Sequence, residues 1–216
     1  MIAWRLGLLL LLVGFAAPAA AAGPLPFARA LPWDHVASAH AGDWAEYVVR
    51  VGDHPVGPWL RFLVLGHDES GTWVEIWISE NRGSATQAYR LLVDERGRTR
   101  RLVGRLLGGP SRELPLPNDA DEGPPDAAAP AFVTLGEEAV QTGAGILRAT
   151  RIESRDGPRW VARAWVAREV PIFGLARMDL ASGTGLELSG WGRGGRGVVD
   201  LPAVGSGAVR GDVPHP

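Results

Sequence analysis

The chain has 216 residues, a formal charge of −2, 46% hydrophobic residues and no cysteine. The missing cysteine excludes disulfides, thiol catalysis, cysteine metal sites and a lipid-modified N-terminal cysteine. The near-neutral charge gives no electrostatic footprint for nucleic acid, which wants a clustered positive surface, and about 200 residues suffice for one core held by burial alone.

In chain order, the N-terminus reads as a secretory signal over 1–22. Arg5 is the only charge before Arg29, Leu6 to Phe15 is continuously apolar or glycine, and Ala19 to Ala22 supply small residues for cleavage after Ala22. The apolar run is shorter than the ~20 residues a bilayer span needs. The expected mature chain is therefore exported, periplasmic or secreted, without a transmembrane segment. Its first ordered piece is a short helix over Pro32 to Ala41, with Pro32 in the first turn and Gly42 as the stop.

From Asp43 the pattern turns to strands. Trp44 to Arg50, Pro58 to Leu65, Trp73 to Ser79 and Gln87 to Val93 are rich in β-formers and separated by turn signals at Gly52-Asp53, Asp68 to Gly71 and Asp94 to Gly97. Period two is strict over Trp73 to Ser79. Val74, Ile76 and Ile78 share one face; Trp73, Glu75 and Trp77 share the other, as expected of a central strand. Arg98 to Leu107 alternates basic and apolar residues and suits an edge strand or a short amphipathic segment. Residues 115–130, dense in proline, aspartate and alanine, read as a loop within one antiparallel β domain spanning 23–192. Strands resume at Phe132. Ile146 to Glu153 and Arg159 to Val166 form a hairpin about Asp156-Gly157. Leu175 to Leu180 and Gly185 to Trp191 form the last hairpin, followed by a glycine- and proline-rich tail over 193–216. The fold class predicted is mainly β: a curved antiparallel sheet, half-barrel or barrel-like, with one or two short helices.

The run Gly136-Glu-Glu-Ala-Val-Gln-Thr-Gly-Ala-Gly145, a hairpin, and Trp165-Val-Ala-Arg-Glu-Val-Pro-Ile-Phe-Gly-Leu175 together resemble a pattern in exported bacterial β-rich proteins. Those are similar to the half-barrel of the periplasmic lipoprotein-carrier superfamily. The resemblance spans about Gly136 to Trp191, with weaker support from Asp43 to Val93. It implies an acyl chain held on the concave side of a curved sheet, and it assigns no individual residue.

No catalytic constellation emerges, so no enzyme, cofactor or metal is expected. His67-Asp68-Glu69 reads as a polar turn. His35 and His40 are five apart, not the four a zinc helix needs, and no Gly-x-Ser-x-Gly elbow occurs. Glu137 and Glu138 point to opposite faces of a strand. Gly192 to Gly197 is glycine- and arginine-rich but opens no helix. The tryptophans remain. Trp73 and Trp77 share a face, whereas the odd spacing of Trp160 and Trp165 predicts opposite faces. These four, with Arg90 and Arg148 at the rim, are the candidate ligand-binding residues. The functional expectation is an exported, non-enzymatic binder of a lipid, lipoprotein or other amphipath. The alternative is a structural module of a cell-envelope assembly.

Overall fold

The computed structural model describes residues 33–82, 84–106, 109–116 and 131–197. The expected signal over 1–22, the acidic loop from residue 117 to 130 and the tail beyond 197 lie outside the described residues. Among the described residues eleven strands form one antiparallel sheet: β1 (Trp44–Val51), β2 (His54–Asp68), β3 (Gly71–Asn81), β4 (Ser84–Val93), β5 (Thr99–Leu106), β6 (Arg112–Glu113), β7 (Ala131–Thr142), β8 (Gly145–Asp156), β9 (Arg159–Val166), β10 (Leu175–Leu180) and β11 (Thr184–Gly192). The order is β6-β5-β4-β3-β2-β1-β11-β10-β9-β8-β7, so the β1–β11 ladder joins the two halves of the chain. The helix predicted over 32–41 is a six-residue 3-10 helix, Trp33–Ser38. It is too short to present an α-helical face; Val36 is its buried contribution, and Ala39 just beyond it is buried as well. The segment Arg98 to Leu107, read as an edge, is flanked instead by the two-residue β6.

Two-residue periodicity sorts the sheet into two faces. The first is apolar. Tyr47 on β1, Leu60 and Phe62 on β2, Ile76 on β3, Leu91 on β4, Met178 on β10 and Leu186 and Leu188 on β11 are all essentially inaccessible. The corner between β9 and β10 lies against this face, where Phe173 meets Phe62 edge-on at 4.9 Å between ring centroids. Ile172 in that corner has a φ of 71°. A β-branched residue adopts this only when its surroundings impose it, and Val170, Ile172 and Phe173 are all buried there.

The far end of the sheet bends back on itself. Strands β7 and β11 are four places apart in the order. Nevertheless Ala144 N donates to Leu188 O at 3.3 Å, and Gly143 N donates to the Glu187 carboxylate at 3.0 Å. The tip of the β7–β8 hairpin therefore folds over β11. Val140, Leu147 and Ala149 become buried against Trp165, which donates its indole N–H to Glu138.

Candidate functional site

The second face of the sheet is neither greasy nor simply wet. Its cross-strand rows are read directly from register. One row runs Arg151, Trp165, Arg177, Glu187, Val48, Trp59; another runs Glu46, Arg61, Trp77; a third pairs Leu63, Glu75 and Arg90. Arginine, carboxylate and indole alternate across nearly the whole width.

Six tryptophans on this side each lie beneath a guanidinium. Arg61 sits between Trp44 and Trp77, 4.5 and 5.0 Å from the ring centroids. Arg82 covers Trp59, Arg101 covers Trp73, and Arg163 covers Trp160 at 4.1 Å. Arg151 and Arg177 both approach Trp165, at 5.8 and 5.3 Å. A flat, delocalised, weakly hydrated cation suits an indole face better than an ammonium does, and each such contact is worth roughly 0.5–2 kcal/mol. All 22 basic residues of the chain are arginine.

The carboxylates anchor these cations. Glu75 is wholly buried between Trp73 and Trp77. It accepts from Trp77 Nε1 at 2.6 Å and from Arg90 Nε at 3.0 Å. Arg50, 4% exposed, lies within 3.5 Å of the carboxylates of Asp53, Asp179 and Glu187. Glu153, almost fully buried, accepts from three arginines: Arg151 Nη2 at 2.8 Å, Arg163 Nε at 2.8 Å, and Arg155 Nη2 at 2.8 Å. Burial pushes the Glu153 pKa up, but the three arginine hydrogen bonds and the Arg163 charge outweigh it and bring it down to about 2.

The glycine-arginine run lies along this face. Gly195 N donates to Gly42 O at 2.9 Å. A Cβ at Gly195 would come within 2.8 Å of Leu63 Cδ1 and 2.9 Å of Trp44 Cδ1, and one at Gly197 would lie 3.3 Å from Glu75 Oε1. Glycine is required because the backbone itself rests on the Trp44 ring and over the buried carboxylate.

Of the six residues singled out by sequence, five share this face: Trp73, Trp77, Trp160, Trp165 and Arg90. Arg148 does not. It projects from the other side of β8, 81% exposed, and pairs with Glu137 at 2.9 Å. The prediction that Trp160 and Trp165 face apart is overturned by a β-bulge. Ser154 pairs with Ala162 but Arg155 with Trp160, so Val161 is an extra residue and Trp160 is returned to the side of Arg163 and Trp165. Sequence reasoning passed over Trp44, Trp59, Arg61, Glu75 and Glu153 as site residues. Glu75 was visible in the Trp73–Glu75–Trp77 alternation. Glu153 opposite Arg163 follows from the β8–β9 register once that hairpin is drawn.

His67 and Asp68 serve the β2–β3 turn. The His67 ring lies 2.9 Å from Thr72 Oγ1 and 2.8 Å from Ala39 O. Asp68 accepts from Trp73 Nε1 and from the Ser70 and Gly71 amides, and the Trp73 and Ser70 bonds hold its carboxyl below the usual range. Among the described residues no group of histidine and carboxylate side chains is arranged to hold a metal ion.

No family model matches the sequence, and no curated protein matches it. Solved structures do. Protein CT021 from Chlamydia trachomatis is similar at 14% identity and a TM-score of 0.49, over 81% of this chain and 97% of that one. An exported protein with a YmcC-like fold from Bacteroides fragilis is similar at 11% identity and a TM-score of 0.37, over 72% and 97%. An outer membrane lipoprotein-sorting protein domain from Vibrio parahaemolyticus is similar at 11% identity and a TM-score of 0.32, over 70% and 85%.

Proposed function

We propose that this is an exported, non-enzymatic protein that binds an amphipathic ligand, a lipid or lipoprotein, on the tryptophan–arginine face of its sheet. The observation that carries the reading is the gathering of Trp73, Trp77, Trp160, Trp165 and Arg90 on one face, each indole paired with a guanidinium. Trp73 and Trp160 are part-exposed and offer flat apolar area beside fixed positive charge, which is what an amphipath with an anionic head requires, while Trp77 and Trp165 are buried beneath that surface. The opposite, apolar face is filled by its own side chains. A binding role is further supported by the state of the carboxylates. Glu75 and Glu153 are bound by arginine or indole donors, and Glu153 at about 2 is far from the poised pKa of a general base. Export is supported by the charge–apolar–alanine order of the first 22 residues. No helix among the described residues is long and apolar enough to cross a membrane.

Native mass spectrometry of the protein purified from an envelope fraction tests the reading. The expected result is a copurifying species of lipid mass that is lost on Trp160→Ala with Trp73→Ala. A clean apo mass, together with no enhancement of a hydrophobic dye, would overturn it.

A second reading, an interaction module of an envelope assembly, is favoured by β7. That strand ends the sheet, and it exposes Val133 and Leu135. A discrete crosslinked complex through β7, abolished by Leu135→Lys, is its expected signature.

A further inference from the structure

Within the binding face, one cluster carries more positive charge than its own partners neutralise. Arg151, Arg155 and Arg163 converge on the single carboxylate of Glu153, which fixes all three in a fan. Their side chains are 28, 40 and 31% exposed, so the guanidinium edges not used on Glu153 remain within reach of solvent. Arg151 Nε is buried with no acceptor among the described residues. The other acids on this face bind elsewhere: Asp179 takes a bidentate contact from Arg177 and one from Arg50, Glu187 takes Arg50, and Glu138 accepts from the Trp165 indole. Among the described residues Arg151, Arg155 and Arg163 therefore share Glu153 as their one ion-pair partner. Arg163 in turn lies flat over Trp160, so an apolar ring borders the cations.

We propose that Arg151, Arg155 and Arg163, held by Glu153 and backed by Trp160, form a receptor for a phosphate group carried on an amphipath. Three guanidiniums around one carboxylate match the charge of a phosphate, and their forked donors match its tetrahedral oxygens. The indole gives the adjoining glycerol or sugar portion of a headgroup a surface to lie on. The assignment rests on the binding reading above and names the headgroup chemistry it would take. Glu153 is a positioning residue here. Without it the three cations would repel one another and lose their common geometry.

Vesicle cosedimentation tests this with the whole protein. The probes are vesicles of equal phosphatidylglycerol and phosphatidylcholine, and vesicles of phosphatidylcholine alone. Wild type is expected to sediment with the first and not with the second. Arg155→Gln combined with Arg163→Gln is expected to bind the anionic vesicles roughly thirtyfold more weakly, at about one kcal/mol per basic residue removed near a charged surface. Arg155→Gln alone, at the most exposed of the three, gives an intermediate loss and guards against a folding defect in the double variant. Arg148→Gln removes the same charge from the opposite face and is expected to leave binding unchanged. Equal losses for Arg148→Gln and the double variant, or undiminished binding by the double variant, would overturn the assignment. Inorganic phosphate separates the sources. Vesicle binding that persists in millimolar phosphate identifies the headgroup as ligand; binding abolished by phosphate but not by equal chloride assigns the same three arginines to the free ion. Should the double variant bind normally while lipid still copurifies, only the phosphate receptor falls. Should wild type carry no lipid and bind neither vesicle, the amphipath reading falls with it.

Discussion

Two buried polar side chains on opposite faces of the sheet have opposite consequences for stability. Tyr47 is completely buried on the apolar face, and its hydroxyl has no hydrogen-bond partner among the described residues. Burial alone drives its pKa upward. A buried hydroxyl without a partner loses its hydration for nothing, so Tyr47→Phe is expected to be neutral or stabilising by about 1 kcal/mol. A raised urea midpoint at unchanged slope would show it. Glu75 is equally buried on the other face, but both carboxylate oxygens are bound, one by Trp77 Nε1 and one by Arg90 Nε. Glu75→Ala removes the buried acceptor of the Trp77 indole N–H and of Arg90 Nε, and is expected to cost about 3–5 kcal/mol. A loss below ~1 kcal/mol in the same urea measurement would contradict the network drawn here. Both residues sit at unremarkable positions in the strand pattern. What separates them is the partner across the ladder.

Among the elements, the β9–β10 corner and the β8–β9 hairpin show how local sequence and long-range packing divide the work. Val170-Pro-Ile-Phe-Gly174 announces a corner through its proline and glycine, and the chain does turn there. Only packing makes the corner a structural plug. Phe173 is fully buried against Phe62, more than a hundred residues earlier in the chain. Phe173→Ala is expected to cost about 3–5 kcal/mol through the cavity it leaves, read as a fall in melting temperature of several degrees. The hairpin Ile146 to Glu153 with Arg159 to Val166 was legible from its Asp-Gly turn and β-branched content; it forms with β9 at the predicted bounds and β8 longer at both ends. Its bulge was not legible. Nothing in Trp160-Val161-Ala162 marks Val161 as the extra residue, because a bulge is a property of two strands in register. That single insertion moved Trp160 onto the tryptophan–arginine face.

For the whole molecule, acid is the natural probe, because ion pairs stitch the polar face from β1 to β9. Glu153 and Asp94 both titrate near 2 in the folded chain, against ordinary values of 4.5 and 3.8. For Asp94, burial raises the pKa, and hydrogen bonds from the Arg98 backbone and side chain, the Arg96 amide and the Arg100 side chain overcome it. A depressed folded pKa means the unfolded chain takes up protons first. The stabilisation from these groups is complete above about pH 5 and is lost as the pH falls toward about 2. The melting temperature is therefore expected to hold between about pH 5 and pH 7 and to drop below that. Glu153→Gln should start lower at neutral pH and fall less steeply. A Glu153→Gln profile parallel to wild type would remove Glu153 from the acid response.

The sequence by itself determined the class of this protein. Period-two patterning and glycine-bearing turns act over a few residues, and they were enough to specify antiparallel strands and most hairpins. The order of polar and apolar segments at the N-terminus is likewise local and supports the reading of an exported chain. Tertiary structure alone decided which residues meet. The β1–β11 ladder that closes the two halves into one sheet, the hairpin tip folded over β11, and the bulge that aligns Trp160 with Trp165 all depend on partners far apart in the chain. Burial of Glu75 and Glu153 follows from the same contacts. A carboxylate in a strand is read from sequence as solvated, because desolvation is costly unless donors arrive. Here the donors are arginines and indoles delivered from neighbouring strands, and only the assembled sheet brings them within reach.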